Sequence, residues 1–149
     1  MVNRSREKGF RAERELSIIL WKNGFACIRG PASGSGGRII FYPDLVAMRN
    51  GKVYVFEIKT SQKNYAYVSK NKLLKLYDFV KRVKGLSNIE VRAIVAVKKR
   101  FSGWVFVDLT ALNLEDIKGD RINVLEKSFK KLSLKAFLAK TAGYREISF

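Results

Sequence analysis

The 149-residue sequence contains no histidine and a single cysteine, Cys27, and both features restrict the chemistry available to it. Disulfide frameworks, zinc fingers and Cys–His nucleophilic pairs all need more of these residues than one chain supplies. Histidine is the most common general base in enzymes. Any catalysis here must therefore use carboxylates, lysine, tyrosine, serine or a metal-bound water. The lone cysteine is predicted to be a buried small hydrophobic residue.

Acidic residues are also scarce: the sequence has 13 aspartates and glutamates against 30 lysines and arginines, which gives a formal net charge of +17. A surface of this charge binds polyanions, so nucleic acid is the leading predicted partner and an anionic membrane surface the second. No apolar run approaches the roughly 20 residues that cross a bilayer, and no helix is strongly amphipathic and rich in aromatics. These absences argue against a membrane role. No apolar signal-peptide region follows the N-terminus, so a cytoplasmic location is expected.

Two β-prone runs flank Asn50-Gly51, a dipeptide preferred at the centre of a two-residue type I′ hairpin turn. The turn sets a register in which facing residue numbers sum to 101, so Asp44 faces Glu57. Facing carboxylates destabilise a sheet. Lys59 projects from the same face as Glu57, so its charge offsets part of the repulsion between the two carboxylates. A divalent cation such as Mg²⁺ would offset that repulsion better than a lysine. An acid-x-Lys strand alone fits an exposed ion pair equally well, but the facing Asp44 favours a functional site.

The rest of the pattern predicts an α/β protein in which one domain, residues 1–149, is built on a central mixed sheet of about five strands flanked by helices. The predicted elements are a helix over 3–23, a strand over 25–29, the hairpin over 42–59, a helix over 70–83, and strands over 91–97 and 104–109. Residues 110–149 are the least informative part, with a short amphipathic helix over 132–140 as the one candidate element.

Two choices stay open at the level of periodicity. Glu13 and Glu15 lie on opposite edges of the apolar stripe of the first helix, and periodicity does not say which of them, if either, faces the acid pair. The Gly-rich stretch 30–37 fits a flexible connector as well as a loop that approaches a phosphate, with Ser33 or Ser35 offering a hydroxyl.

Three blocks of sequence together resemble the archaeal-type Holliday-junction resolvases of the PD-(D/E)xK nuclease superfamily. They are Ala-Glu-Arg-Glu-Leu at 12–16, Pro-Asp-Leu-Val-Ala at 43–47 followed by Asn-Gly-Lys at 50–52, and Glu-Ile-Lys at 57–59. The resemblance covers roughly residues 3–110. It implies a restriction-endonuclease-like fold and a homodimer that cuts four-way branched DNA by paired symmetric nicks. The implied cofactor is Mg²⁺, with Mn²⁺ as a substitute, and a sliding clamp or other recombination protein is a further candidate partner.

The resemblance also implies roles for individual residues. Glu13, Asp44 and Glu57 correspond to catalytic metal ligands, and Lys59 to the catalytic lysine. Ser33 matches a loop serine near the scissile phosphate, although a second Ser-Gly in a long segment leaves Ser35 as the alternative. Arg14 and Arg29 match positions near the DNA, and the other predicted phosphate contacts are Arg4, Arg6, Lys63, Lys70, Lys72 and Lys75.

Two other functions stay open from the sequence. The same nuclease core fits restriction, flap or repair substrates, because the active-site residues are shared. A non-catalytic DNA-binding protein of this fold is the second alternative, and the facing carboxylates argue against it because they would repel phosphates. Apolar residues of the 70–83 helix, such as Tyr77 and Val80, fit a dimer surface and an intramolecular core equally well.

Overall fold

The computed structural model describes residues 4–31, 39–101 and 103–142. The helices are α1 (Arg4–Lys22), α2 (Lys70–Lys84) and α3 (Leu134–Thr141). The strands are β1 (Ala26–Arg29), β2 (Leu45–Arg49), β3 (Lys52–Ser61), β4 (Tyr67–Ser69), β5 (Glu90–Lys99), β6 (Gly103–Asp108), β7 (Arg121–Asn123) and β8 (Leu132–Ser133). Within the described ranges no helix is long and apolar enough to cross a membrane.

A mixed six-stranded sheet in the order β1-β2-β3-β5-β6-β8 organises the molecule. Among the described strands, only β3 and β5 pair in parallel, and α2 lies on the crossover that connects them. The predicted mixed sheet flanked by helices is therefore confirmed. Its sixth strand, β8, is a two-residue edge strand that the sequence pattern did not indicate. A separate two-stranded sheet pairs β4 with β7.

Two apolar layers cover the two faces of the sheet, because alternate residues of each strand point in opposite directions. On one face the buried stripe of α1 packs with α3 and the even-numbered side chains of β3, and the half-buried Cys27 joins this layer. Its main members are Ala12, Leu16, Leu20, Tyr54, Phe56, Ile58 and Phe137. On the other face α2 contributes buried leucines against the odd-numbered valines of β3 and β5. The main members there are Val53, Val55, Leu73, Leu76, Val91, Val95 and Val97.

The β2–β3 hairpin has the predicted turn and register. Asn50 and Gly51 have φ values of 53° and 73°, as a type I′ turn requires. Val46 pairs with Val55, so facing numbers sum to 101. The regular ladder ends at the next outward pair, Leu45 with Phe56, one position before Asp44. Asp44 is therefore not part of the regular β2–β3 pairing, and other hydrogen bonds hold it in place.

Candidate active site

Asp44 ends the hairpin with two hydrogen bonds to the neighbouring strand. Its N–H donates to the Phe56 carbonyl at 3.1 Å, and its Oδ2 accepts from the Ile58 N–H at 2.7 Å. These two partners lie on either side of Glu57. The carboxylate of Asp44 is thereby fixed next to that of Glu57, and the two side chains interact as the sequence predicted.

The end of β1 supports the same corner of the molecule. The N–H of Gly30 donates to the Asp44 carbonyl at 3.1 Å. A Cβ atom at Gly30 would lie 2.2 Å from the carbonyl oxygen of Pro43, which is inside any tolerated contact. Glycine is therefore required here because the two backbones touch. Sequence reasoning placed Gly30 in a loop and missed this contact.

Glu57 is a buried carboxylate, with 4% of the residue exposed. Its Oε1 lies 3.6 Å from Lys59 Nζ, and its Oε2 has no hydrogen-bond partner in the part of the chain that the structure describes. Burial, and secondly the charge of Asp44, raise the pKa of Glu57 to about 7, against the lowering effects of Lys72 and Lys59. An unpaired buried carboxylate oxygen is costly, so this atom is suited to a partner that residues 4–31, 39–101 and 103–142 do not supply.

Glu13 joins this group from α1, whereas Glu15 does not. The Oε2 of Glu13 lies 3.5 Å from Arg29 Nη2, and burial and then Asp44 raise the pKa of Glu13 while Arg29 lowers it. Glu15 instead forms an ion pair of 2.8 Å with Lys98. The structure thus distinguishes the two acids that periodicity left equivalent, and Glu13 is the one beside Asp44.

These carboxylates can be compared with the needs of a divalent cation. Among residues 4–31, 39–101 and 103–142, no three acidic, cysteine or histidine side chains converge closely enough to hold a metal ion. Asp44 instead interacts separately with Glu57 and with Glu13. Hard cations such as Mg²⁺ take carboxylate oxygens and fill most other positions with water and phosphate. A carboxylate pair with one unpaired buried oxygen, as at Asp44 and Glu57, fits such an ion.

Lys72 is closer to the acid pair than its predicted role as a phosphate contact implied. It lies in the first turn of α2, where its N–H donates to the Oγ of the N-cap residue Ser69 at 3.0 Å. Its Nζ lies 5.6 Å from the ring centroid of Phe41. The positive charge of Lys72 lowers the pKa of Glu57, and it does so more strongly than the charge of Lys59. The N-cap serine could have placed Lys72 in the first turn of a helix, but no sequence signal placed that turn beside Glu57.

The other predicted DNA contacts spread around this corner. Arg29 contacts α1 twice, because besides its ion pair with Glu13 it donates a hydrogen bond to the Phe10 carbonyl at 3.2 Å. Exposed side chains belong to Arg4, Arg6, Arg14, Lys63 and Lys75, and Lys70 is half-buried. A groove between α1 and the ends of β3 and β5 adds four cations that were not predicted, Lys8, Arg11, Lys98 and Arg100. Ser33 and Ser35 lie outside the described residues.

A family model described as archaeal Holliday junction resolvase (Hjc) matches residues 4–142. The chain belongs to this family. The resemblance inferred from the sequence is therefore confirmed, and with it the predicted enzyme class, because curated relatives are named crossover junction endodeoxyribonucleases.

Individual members of the resolvase family differ in how much of the chain they match. The crossover junction endodeoxyribonuclease Hjc of Methanocaldococcus jannaschii is 46% identical over 72 residues, covering 48% of this chain and 49% of the relative. The Hjc of Archaeoglobus fulgidus is 34% identical over 108 residues, or 72% and 73%. The Hje of Sulfolobus acidocaldarius is 28% identical over 123 residues, or 82% and 84%. The match thus spans about half the length of the first relative and more of the others.

The fold agrees with a solved member of the resolvase family. The structure of Archaeoglobus fulgidus Hjc, described as a Holliday junction resolvase from an archaeal hyperthermophile, superposes with a TM-score of 0.64 at 30% identity. The match covers 87% of this chain and 97% of that one. The restriction-endonuclease-like fold predicted from the sequence is therefore confirmed.

Proposed function

We propose that this protein is a metal-dependent endonuclease that resolves four-way DNA junctions by paired, symmetric nicks. One observation carries the proposal: the Glu57 carboxylate is buried beside that of Asp44, its Oε1 lies 3.6 Å from Lys59 Nζ, and its Oε2 has no hydrogen-bond partner among the described residues. A purely structural ion pair would not leave a carboxylate oxygen buried without a partner. The family membership and the net charge of +17 identify DNA as the substrate class.

Asp44 and Glu57, with Glu13 next to Asp44, would hold a divalent cation, Mg²⁺ or Mn²⁺. When bound, the ion would polarise the scissile phosphate and lower the pKa of a water molecule. Lys59 is half-exposed at the mouth of the acid pair and would stabilise the negative charge that develops on the phosphate. Lys72 adds a second positive charge at the same place.

The remaining cations would bind the DNA backbone. Phosphate contacts supply affinity and salt dependence but carry no sequence information. The four-cation groove along α1 extends the positive surface from Lys59 past Thr60 and Ser61. This surface would follow the strand that leaves the active site. Selectivity for a junction must then come from the shape of the DNA.

A two-fold dimer would supply part of that selectivity, because two active sites at a fixed separation match a four-way junction. An exposed apolar surface suits this role: Ile39 is 96% exposed and Leu74 is 51% exposed. Phe41 packs edge-on against Phe79, with ring centroids 6.4 Å apart, at the base of the same depression. A contiguous apolar surface of this kind marks an interaction site, and a second copy of the chain is the proposed partner.

Leu74→Arg is expected to convert the dimer into a monomer, since it introduces a charge into the centre of the apolar surface. Light scattering coupled to gel filtration would measure the mass. Leu86→Arg is the matched control, because Leu86 is fully exposed beyond the end of α2. An unchanged mass for Leu74→Arg, with a dimeric wild type, would place the dimer contact elsewhere.

Cleavage of a fixed four-way junction, beside a linear duplex of the same sequence, tests the proposed function. With Mg²⁺ we expect symmetric nicks near the centre of the junction and no cutting of the duplex, and with EDTA no cutting of either. Asp44→Ala should abolish the cleavage and leave junction binding in EDTA. Metal-dependent cutting of both substrates would overturn the junction selectivity but keep the nuclease. Binding without cutting in any divalent metal would indicate a non-catalytic DNA-binding protein.

A further inference from the structure

Two tyrosine rings stand exposed in the segment that connects β3 to α2. Tyr65 is 46% exposed and Tyr67 is 40% exposed, and their ring centroids lie 5.3 Å apart with the planes inclined by 43°. Ala66 and Val68, which alternate with them, are buried. The segment therefore already contributes its apolar side to the core, and the two rings face outward from the opposite side.

A guanidinium group completes this surface. The Cζ of Arg121 lies over the ring of Tyr67, 3.9 Å from its centroid, which is a cation–π contact. The β4–β7 pairing produces it, because Ser69 pairs with Arg121 and the arginine reaches back along the strand to the tyrosine. Tyr65, Tyr67 and Arg121 are named here the tyrosine platform.

The segment that carries the two tyrosines is connected at both ends to elements that bear active-site residues. The Oγ of Ser61, two residues after Lys59 and so about 7 Å along the strand, donates to the Tyr65 carbonyl at 2.6 Å. At the other end Ser69 caps α2, which carries Lys72 to the acid pair. DNA bound with a phosphate at Lys59 would therefore pass close to the platform.

The chemistry of the tyrosine platform differs from that of the surrounding cationic surface. Phosphates are bound by charge and need no rings. Aromatic faces and guanidinium planes are the groups on which proteins stack exposed nucleobases. Within a continuous duplex each base is stacked on both sides. At a branch point whose arms are not stacked coaxially the stack is interrupted, and one face of the flanking base is free.

We propose that the tyrosine platform stacks on the exposed face of a base at the branch point, adjacent to the phosphate that is cut. This inference rests on the proposed function and adds to it a means of recognising a junction that does not depend on the dimer. Each active site would then identify a break in base stacking for itself.

The test compares junction and duplex binding in EDTA at one fixed salt concentration. Tyr65→Thr/Tyr67→Thr removes both rings while keeping residues that favour strands. We expect its affinity for the junction to fall about tenfold or more, and its affinity for the linear duplex to stay within about twofold. The double tyrosine-to-phenylalanine variant should bind as wild type. Trp21→Ala, which removes an exposed ring on α1, should change neither affinity.

An abasic junction provides the second arm. Removing the bases that flank the branch point should weaken wild-type binding, and should weaken the Thr variant no further. The proposal is overturned if the Thr variant loses affinity equally for the junction and the duplex. It is also overturned if the loss of affinity caused by the Thr variant and the loss caused by the abasic junction are additive. The wild-type arm alone still decides if the Thr variant fails to fold, because an unaffected affinity for the abasic junction also overturns it.

The two failures can be distinguished. A wild type that neither prefers nor cuts the junction contradicts the proposed function itself. A wild type that prefers and cuts the junction, together with a folded Thr variant that does so equally well, contradicts only the platform.

Discussion

Replacing Glu57 with glutamine is expected to stabilise the metal-free protein at pH 8 while reducing junction cleavage at least about 100-fold. The stabilisation arises because the wild-type carboxylate is buried next to Asp44, and one of its oxygens has no hydrogen-bond partner in the described part of the chain. Glutamine has the same shape and no charge, so it avoids the desolvation and the repulsion. Cleavage falls because the same oxygens are the proposed metal ligands.

The pH dependence follows from the direction of the shift. Burial raises the pKa of Glu57 from 4.5 to about 7, so the folded protein holds a proton that the unfolded chain has already lost. The wild type therefore loses stability as the pH rises from about 4.5 to 7. The variant lacks this loss. Its advantage should be small at pH 4.5 and on the order of 1–3 kcal/mol at pH 8.

Thermal unfolding in EDTA at the two pH values measures this difference. Glu90→Gln is the matched control, because Glu90 is a half-exposed acid paired with Lys52 at 3.5 Å at the other end of the β3–β5 pair. It should change stability by less than about 1 kcal/mol at either pH. A Glu57→Gln variant that unfolds at a lower temperature than wild type at pH 8 would show that the carboxylate is not a source of strain.

Gly30→Ala is expected to reduce cleavage about 100-fold without touching a catalytic side chain. The added Cβ would lie 2.2 Å from the Pro43 carbonyl oxygen, so the Pro43-Asp44 backbone must move by roughly 1 Å. This movement displaces the Asp44 carboxylate from Glu57. The overpacking should also lower the free energy of unfolding by about 1–3 kcal/mol. Single-turnover cleavage and thermal unfolding of the same preparation would measure both effects.

Gly9→Ala is the control for this substitution. A Cβ at Gly9 meets nothing within 4 Å, and the residue lies inside α1. Alanine is favoured over glycine in helices, so this variant should be more stable by about 0.5–1 kcal/mol and should cut at the wild-type rate. If Gly30→Ala cuts as fast as Gly9→Ala, then the contact between β1 and Pro43 does not position Asp44.

The sequence was most informative where structure depends on near neighbours. The Asn50-Gly51 turn fixed the hairpin register, because two positive φ angles and a period of two leave one arrangement. The helix over 70–83 was placed to within one residue at each end, and the helix over 3–23 to within one residue at its C-terminal end, since apolar periodicity and end signals coincide there. Asp44 and Glu57 were paired for the same local reason.

Contacts between distant parts of the chain were not predictable in this way. The choice between Glu13 and Glu15 depends on how α1 is oriented on the sheet, which the helix sequence does not contain. The contact of Gly30 with Pro43 depends on β1 pairing with β2. The β4–β7 sheet joins segments more than fifty residues apart, and its three-residue strands carry too little pattern to detect.

The two ion pairs of α1 have a consequence for the way this helix is seated. Glu13 pairs with Arg29 on one side of the helix, and Glu15 pairs with Lys98 on the other. A shift of one residue would turn the helix by about 100° and break both pairs at once. Each pair is partly exposed and contributes little to the free energy of unfolding. They are consistent with the rotational phase that the buried stripe of Ala12, Leu16 and Leu20 sets for the helix. It is this phase that places Glu13 rather than Glu15 beside Asp44.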